Sequence, residues 1–203
     1  MQKRLLAPAL LAITMLTSAA ADTPQAPSPA RLKADVETLV GFGTRNTLSS
    51  ATDPKRGIGA ARNWAAARFE AIGKACGGCI TVERISRSFT GPRAPNGVIV
   101  ENVLGIQKGR DPGRFIIIGA HIDSRGCDTL DTTEDAPGAN DDGSGVALVL
   151  EAARHLSKQK FDATIVYAIF SGEEQGLWGG TLLAETARDR GWEISAMLNN
   201  DIV

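Results

Sequence analysis

Four short stretches carry side chains able to hold a metal ion or move a proton: His121-Ile122-Asp123, Asn140-Asp141-Asp142, Ser171-Gly172-Glu173-Glu174, and Asp201. Taken singly, each has an ordinary explanation. Asp or Ser ahead of an apolar helix caps it, and glycine permits the turn that precedes it. A lone His-x-Asp is commonly incidental. Adjacent glutamates beside glycines make a solvated turn, because buried carboxylates are costly unless paired or bound to metal. Together the four stretches say more, because clustered acids repel one another until a cation neutralises them. One imidazole with several carboxylates and no thiolate suits zinc, with manganese or cobalt as substitutes. A pair of ions about 3.5–4 Å apart would need one carboxylate shared between them.

Clustering requires elements that bring these stretches to one place. The apolar runs at 115–120, 164–170 and 196–199 are short and separated by helix-like segments at 146–156 and 177–187. That alternation predicts an α/β fold, a three-layer α/β/α arrangement around a mixed, mainly parallel sheet. Each run leads directly into one of the polar stretches, so three strands deliver ligand-type side chains to a single sheet edge, where ligands of open α/β sheets bind. Upstream, residues 30–39 and 57–72 read as helices. Residues 80–89 and 98–106 read as paired strands joined by a turn-rich GPRAPNG. The final segment reads as a buried strand with no helix to follow it, and a domain of this type is expected to continue.

The 203 residues, 43% of them hydrophobic, suit one domain with a substantial core, and a net charge of −1 argues against a nucleic-acid partner. The first 21 residues pair Lys3 and Arg4 with an apolar stretch and a small-residue Ala19-Ala20-Ala21, the pattern of a secretory signal peptide. Removing those two cations from 22 leaves 20 basic against 23 acidic residues, a mildly acidic exported chain with no membrane association after cleavage. Residues 22–29 form a Pro-rich spacer, and the catalytic domain is expected over 30–203. Cys76-Gly-Gly-Cys79 lacks the second pair of a zinc clip, so a local disulfide is expected in an oxidising compartment, leaving Cys127 unpaired.

The set HID, NDDGSG, SGEEQGL and NNDIV, with ENVLGIQKG and IIIGAHIDS, resembles the di-zinc aminopeptidases typified by bacterial leucyl aminopeptidase, metallopeptidase family twenty-eight. The likeness covers about residues 30–203. It implies that His121 binds one zinc and that Asp123 orients its imidazole. It further implies that Asp141 bridges two zinc ions, that Asp201 completes the first, and that Glu174 binds the second. In that family the peptide bond after the bridging aspartate is often cis. Glu173 would be the general base, taking a proton from metal-activated water and passing it to the leaving amine. The implied substrate is a peptide, cut at its free amino end. The family pattern needs a further histidine for the second zinc. The only other histidine here, His155, lies about four helical turns beyond Asp141 and reads as structural, so the 203 residues should hold less than a full pair of ions.

Three alternatives compete: a carboxypeptidase of the same fold, a glutaminyl cyclase of the same fold with one zinc, and an inactive metal-binding fragment. A serine hydrolase is disfavoured because no G-x-S-x-G occurs, and Gly143-Ser144-Gly145 lacks the lysine of a phosphate loop. Trp64, Trp178 and Trp192 read as core or rim packing. Oligomeric state and preferred side chain are not encoded in any recognisable pattern.

Overall fold

The computed structural model describes residues 26–203. The expected signal segment at 1–21 lies outside the described residues, as does the start of the expected spacer. Helix α1 (Pro29–Val40) begins one residue earlier than the sequence suggests. Proline suits the first helical position, and the Ser28 hydroxyl accepts from the Arg31 N–H at 3.4 Å. The remaining elements follow in order: α2 (Gly57–Ala75), β1 (Thr81–Gly91), β2 (Ala94–Gln107), β3 (Asp111–His121), α3 (Gly145–Leu156), β4 (Ala163–Phe170), α4 (Trp178–Asp189) and β5 (Glu193–Asn199). No helix among the described residues is long and apolar enough to cross a membrane.

The five strands form one mixed sheet in the order β1-β2-β4-β3-β5. Strands β4, β3 and β5 are mutually parallel, whereas β2 pairs antiparallel with both β1 and β4. Side-chain alternation along the two central strands builds two cores. Ile118 and Ala120 of β3, with Ile165, Tyr167 and Ile169 of β4, face Leu39, Ile58, Phe69 and Leu150 of helices α1–α3. Phe115 and Ile117, with Val166, Ala168 and Phe170, face Leu182 and Leu183 of α4. All eight residues of β4 are buried, as a strand covered on both faces requires. Each fully buried Ile, Leu or Phe contributes roughly 1.5–3 kcal/mol, so these two layers dominate the stability.

Two sequence expectations change. The connection between β1 and β2 is not a seven-residue turn. Ala94 already pairs with Gly91, and only Pro92 and Arg93 lie between the strands. Residues 94–97 lack β-branched character, and pairing with β1 overrides their weak propensity. Strand β5 is not buried: all seven residues are exposed, because among the described residues β3 is its single strand partner and no helix covers its faces.

The Cys76–Cys79 disulfide forms, with Cα atoms 5.5 Å apart, and Cys127 is exposed and unpaired. The structural reading of His155 also holds. Its Nε2 lies 3.2 Å from Glu151 at the far end of α3.

Candidate metal centre

Strand β3 has β4 on one side and β5 on the other, and the helices following β3 and β4 cover opposite faces of the sheet. The carboxyl end of β3 is therefore the point where the chain switches direction, and it ends in His121. The imidazole is buried, with its Nε2 facing three acids. It lies 3.1 Å from Asp141 Oδ1, 3.8 Å from Asp201 Oδ1 and 4.0 Å from Glu173 Oε2. Asp201 arrives from the end of β5, Glu173 from the loop after β4, and Asp141 from the irregular turn Ala139–Ser144 that leads into α3.

Local structure explains how each acid gets there. The peptide bond Asp141–Asp142 is cis. Asp142 is fully buried and acts as a bracket. Its Oδ2 accepts from the His121 N–H at 3.1 Å, and its Oδ1 accepts from the N–H groups of Gly145 at 2.9 Å and Ile202 at 3.4 Å. A side chain at Gly145 would collide with that carboxylate. After β4, Gly172 adopts φ +72°, which favours glycine, and the turn there separates the buried strand from the two glutamates. Its N–H donates to Thr47 Oγ1 at 3.0 Å, and the Thr47 hydroxyl donates to Asp123 Oδ2 at 3.0 Å.

Asp123 plays a broader part than the sequence suggests. The 3.1 Å contact of His121 Nδ1 is with the backbone carbonyl of Asp123, while the carboxylate lies at 3.7 Å. That carboxylate instead collects the N–H groups of Glu173 at 3.3 Å and Glu174 at 3.1 Å, fixing the loop that presents both glutamates. Glu174 is placed apart from the His121 group, with its Oε2 accepting from Arg125 Nε at 2.6 Å. Arg125 is a partner that the sequence did not single out.

Nor did it single out the loop at 41–56. Arg45 there is fully buried and donates to four backbone carbonyls, of Leu39, Ile122, Pro137 and Gly138. Burial lowers it to about 10 against the opposing pull of Asp123, Asp142 and Asp141, so a cation stands behind the acid cluster. Asn102 holds the other side, accepting from the Ser171 N–H and donating to the Gly179 carbonyl.

The electrostatics match a site built for a cation. Burial alone would strip the proton from His121, but Asp123, Asp142 and Glu173 outweigh it and push the imidazole up to about 10. Burial raises Asp142 to about 6. Burial also raises Glu173, helped by the neighbouring Asp123, Glu174 and Asp201 charges, although His121 opposes them. Asp123 goes the other way: despite complete burial it is lowered by His121 and by its donors at Glu174 and Thr47.

The donor spacing can be tested against zinc. Bonds of about 2.0–2.2 Å in a tetrahedral arrangement put neighbouring ligand atoms roughly 3.3–3.5 Å apart. The 3.1 and 3.8 Å separations around His121 Nε2 bracket that value. His121, Asp142 and Asp201 also offer ligand atoms within 4.8 Å of one another, but both oxygens of Asp142 already serve backbone N–H groups. Asp141 and Asp201 therefore each stand at a distance from His121 Nε2 close to that between neighbouring zinc ligands.

Comparison with known proteins agrees with this geometry. A probable zinc metalloprotease of Pyricularia oryzae is 45% identical over 178 residues, covering 86% of this chain and 35% of the relative. The chain thus spans about a third of that relative's length. Among solved structures, glutaminyl cyclase of Porphyromonas gingivalis has a TM-score of 0.70 at 24% identity, covering 87% of this chain and 61% of that one. A leucine aminopeptidase precursor from Bacteroides thetaiotaomicron has a TM-score of 0.71 at 20% identity, covering 89% and 64%. At such identities these two likenesses establish the zinc-exopeptidase type of α/β fold. The sequence profile described as peptidase family M28 matches residues 102–203, which include all six residues predicted for the site, and the chain belongs to that family.

Proposed function

We propose that the protein is an exported, zinc-dependent aminopeptidase that removes residues from the free amino end of peptides. The observation that carries this reading is the convergence of Asp141, Asp201 and Glu173 on His121 Nε2, within 3.1–4.0 Å, from three separate segments. Zinc held by His121, Asp141 and Asp201 would supply Lewis acidity toward the scissile carbonyl and lower the pKa of water to about 7. Glu173 is half-buried, with its carboxyl raised, and is free of any ion pair to Lys or Arg among the described residues. It takes the proton of the attacking water and returns it to the leaving amine. The exposed carboxylates of Asp141 and Asp201 favour the α-ammonium group of a peptide. The Cys76–Cys79 disulfide supports an oxidising compartment outside the cytoplasm.

The test uses the full-length zinc-loaded protein with leucine p-nitroanilide and its N-acetyl derivative. Release of nitroaniline from the free amine alone supports the reading. Equal cleavage of both would refute an aminopeptidase. Ammonia release from an N-terminal glutamine peptide, with no hydrolysis of either anilide, would move the protein to the cyclase chemistry of its structural neighbour.

A further inference from the structure

At the opposite end of the parallel strands from His121 lies a cavity of about 1090 Å³. Its walls are the end of α2 with the Cys76–Cys79 loop, the turn between β2 and β3, and the connection between α3 and β4. Strand β4 runs beside β3 from one end to the other, and its seven residue steps from Ala163 to Phe170 separate the two sites by roughly 23 Å. The cavity therefore cannot be a subsite of the metal centre.

Its lining is charged in one sense. Seven Arg and Lys side chains border it, Arg31, Arg110, Arg154, Lys108, Lys158 and Lys160 among them, and no acidic residue does among the described residues. Two of these cations are neutralised from below: Arg31 and Arg154 pair with buried Glu151, and Arg154 also reaches Asp35. Arg110 pairs with Asp162. Lys108, Lys158 and Lys160 are exposed and form no ion pair among the described residues. The C-terminal ends of α2 and α3 account for Arg154, since cations there offset the helix dipole. They do not account for Lys108, Lys158 and Lys160, which sit on the two connecting loops.

Those loops are fixed in place. Gln107 Nε2 donates to the carbonyls of Leu156 and Gln159, while its Oε1 accepts from the Tyr167 hydroxyl. The Gly109 N–H donates to Thr164, and the Arg110 N–H to the Phe161 carbonyl. The third wall is closed by the disulfide. Ile72, Ile106 and Phe161 add apolar surface between the cations. A concave, preformed site with apolar surface and a few placed charges has the general character of a small-molecule pocket.

We propose that this cleft binds a small organic anion carrying two or more negative groups on an apolar body, independently of the metal centre. The three loop lysines supply the charge recognition. Isothermal calorimetry at about 0.15 M salt, where exposed charges are screened beyond about 8 Å, tests it with naphthalene-1,5-disulfonate as probe. The expected result is a Kd of 1 mM or tighter for the wild-type chain. The triple variant Lys108→Gln, Lys158→Gln, Lys160→Gln should bind at least tenfold more weakly with an unchanged Tm. A Lys33→Gln, Lys55→Gln control should bind as the wild type does. Absence of binding at 1 mM would overturn the proposal. So would a loss below tenfold in the triple variant, or an equal loss in the control. Hydrolytic activity is not part of the readout, so the outcome does not depend on the proposed function.

Discussion

The ion-pair network under α1 permits a quantitative prediction from a single substitution, Glu151→Gln. Glu151 is 2% exposed. Its carboxylate accepts from Arg31 Nε at 3.0 Å, Arg31 Nη2 at 2.5 Å, the Ser28 N–H at 2.8 Å and Arg154 Nη1 at 3.1 Å. The Arg31 bonds, with help from Ser28 and Arg154, outweigh burial and hold the carboxyl at about 2, against an ordinary value of 4.5. At 1.36 kcal/mol per unit, that depression corresponds to ~3.4 kcal/mol. Arg31 is 46% exposed, and screening reduces the figure to about 2 kcal/mol. Because folding lowers this pKa, the stabilisation is complete above pH 4.5 and is lost as the pH falls toward 2, with more than half of it gone by about pH 3. Urea denaturation followed by circular dichroism should therefore show Glu151→Gln less stable than wild type by about 2 kcal/mol at pH 7, with the gap at pH 3 less than half as large. Parallel stability profiles for the two proteins from pH 7 to pH 3 would refute the assigned network.

Three further outcomes follow from the metal centre. Thr47→Val removes a donor from buried Asp123 and an acceptor from the Gly172 N–H, and should cost roughly 2–4 kcal/mol in urea denaturation, while Thr47→Ser should cost much less. Glu173→Gln should lower turnover of leucine p-nitroanilide by roughly 10²–10⁴-fold while leaving zinc affinity within a few-fold, measured by competition with a chelating dye, because the proposed role of Glu173 is that of a base and not of a zinc ligand. Elemental analysis of the purified 203-residue chain should find fewer than two zinc ions, since Glu174 is engaged by Arg125 and His155 by Glu151; two tightly held ions would contradict this.

The parts legible in the sequence share one property: a local pattern set by a buried strand. The runs at 115–120 and 164–170 announce β3 and β4, and the polarity change at each end marks where His121 and Glu173 emerge. Arg45 and Thr47 left no comparable trace. Arg45 and Thr47 sit in a polar, glycine-containing loop whose burial is decided by packing against residues about 80 positions away. In the sequence Asp142 is only the neighbour of an expected ligand, but its work is to tie β3, the turn and Ile202 together, a role visible only in three dimensions. The exposed character of β5 was hidden for a similar reason. Ile194, Met197 and Leu198 look like core residues until the sheet order makes theirs an edge strand.

That edge position has a consequence for how the site comes apart. Among the described residues strand β5 is hydrogen-bonded along one side only and buries none of its seven residues, so in the 203-residue chain the free energy of detaching it is a fraction of that for global unfolding. Asp201 follows directly from it. In native-state hydrogen exchange, amides of 193–199 should therefore lose protection well before those of β4. The metal-holding group would be dismantled from the Asp201 side while His121 and Asp141 remained in place.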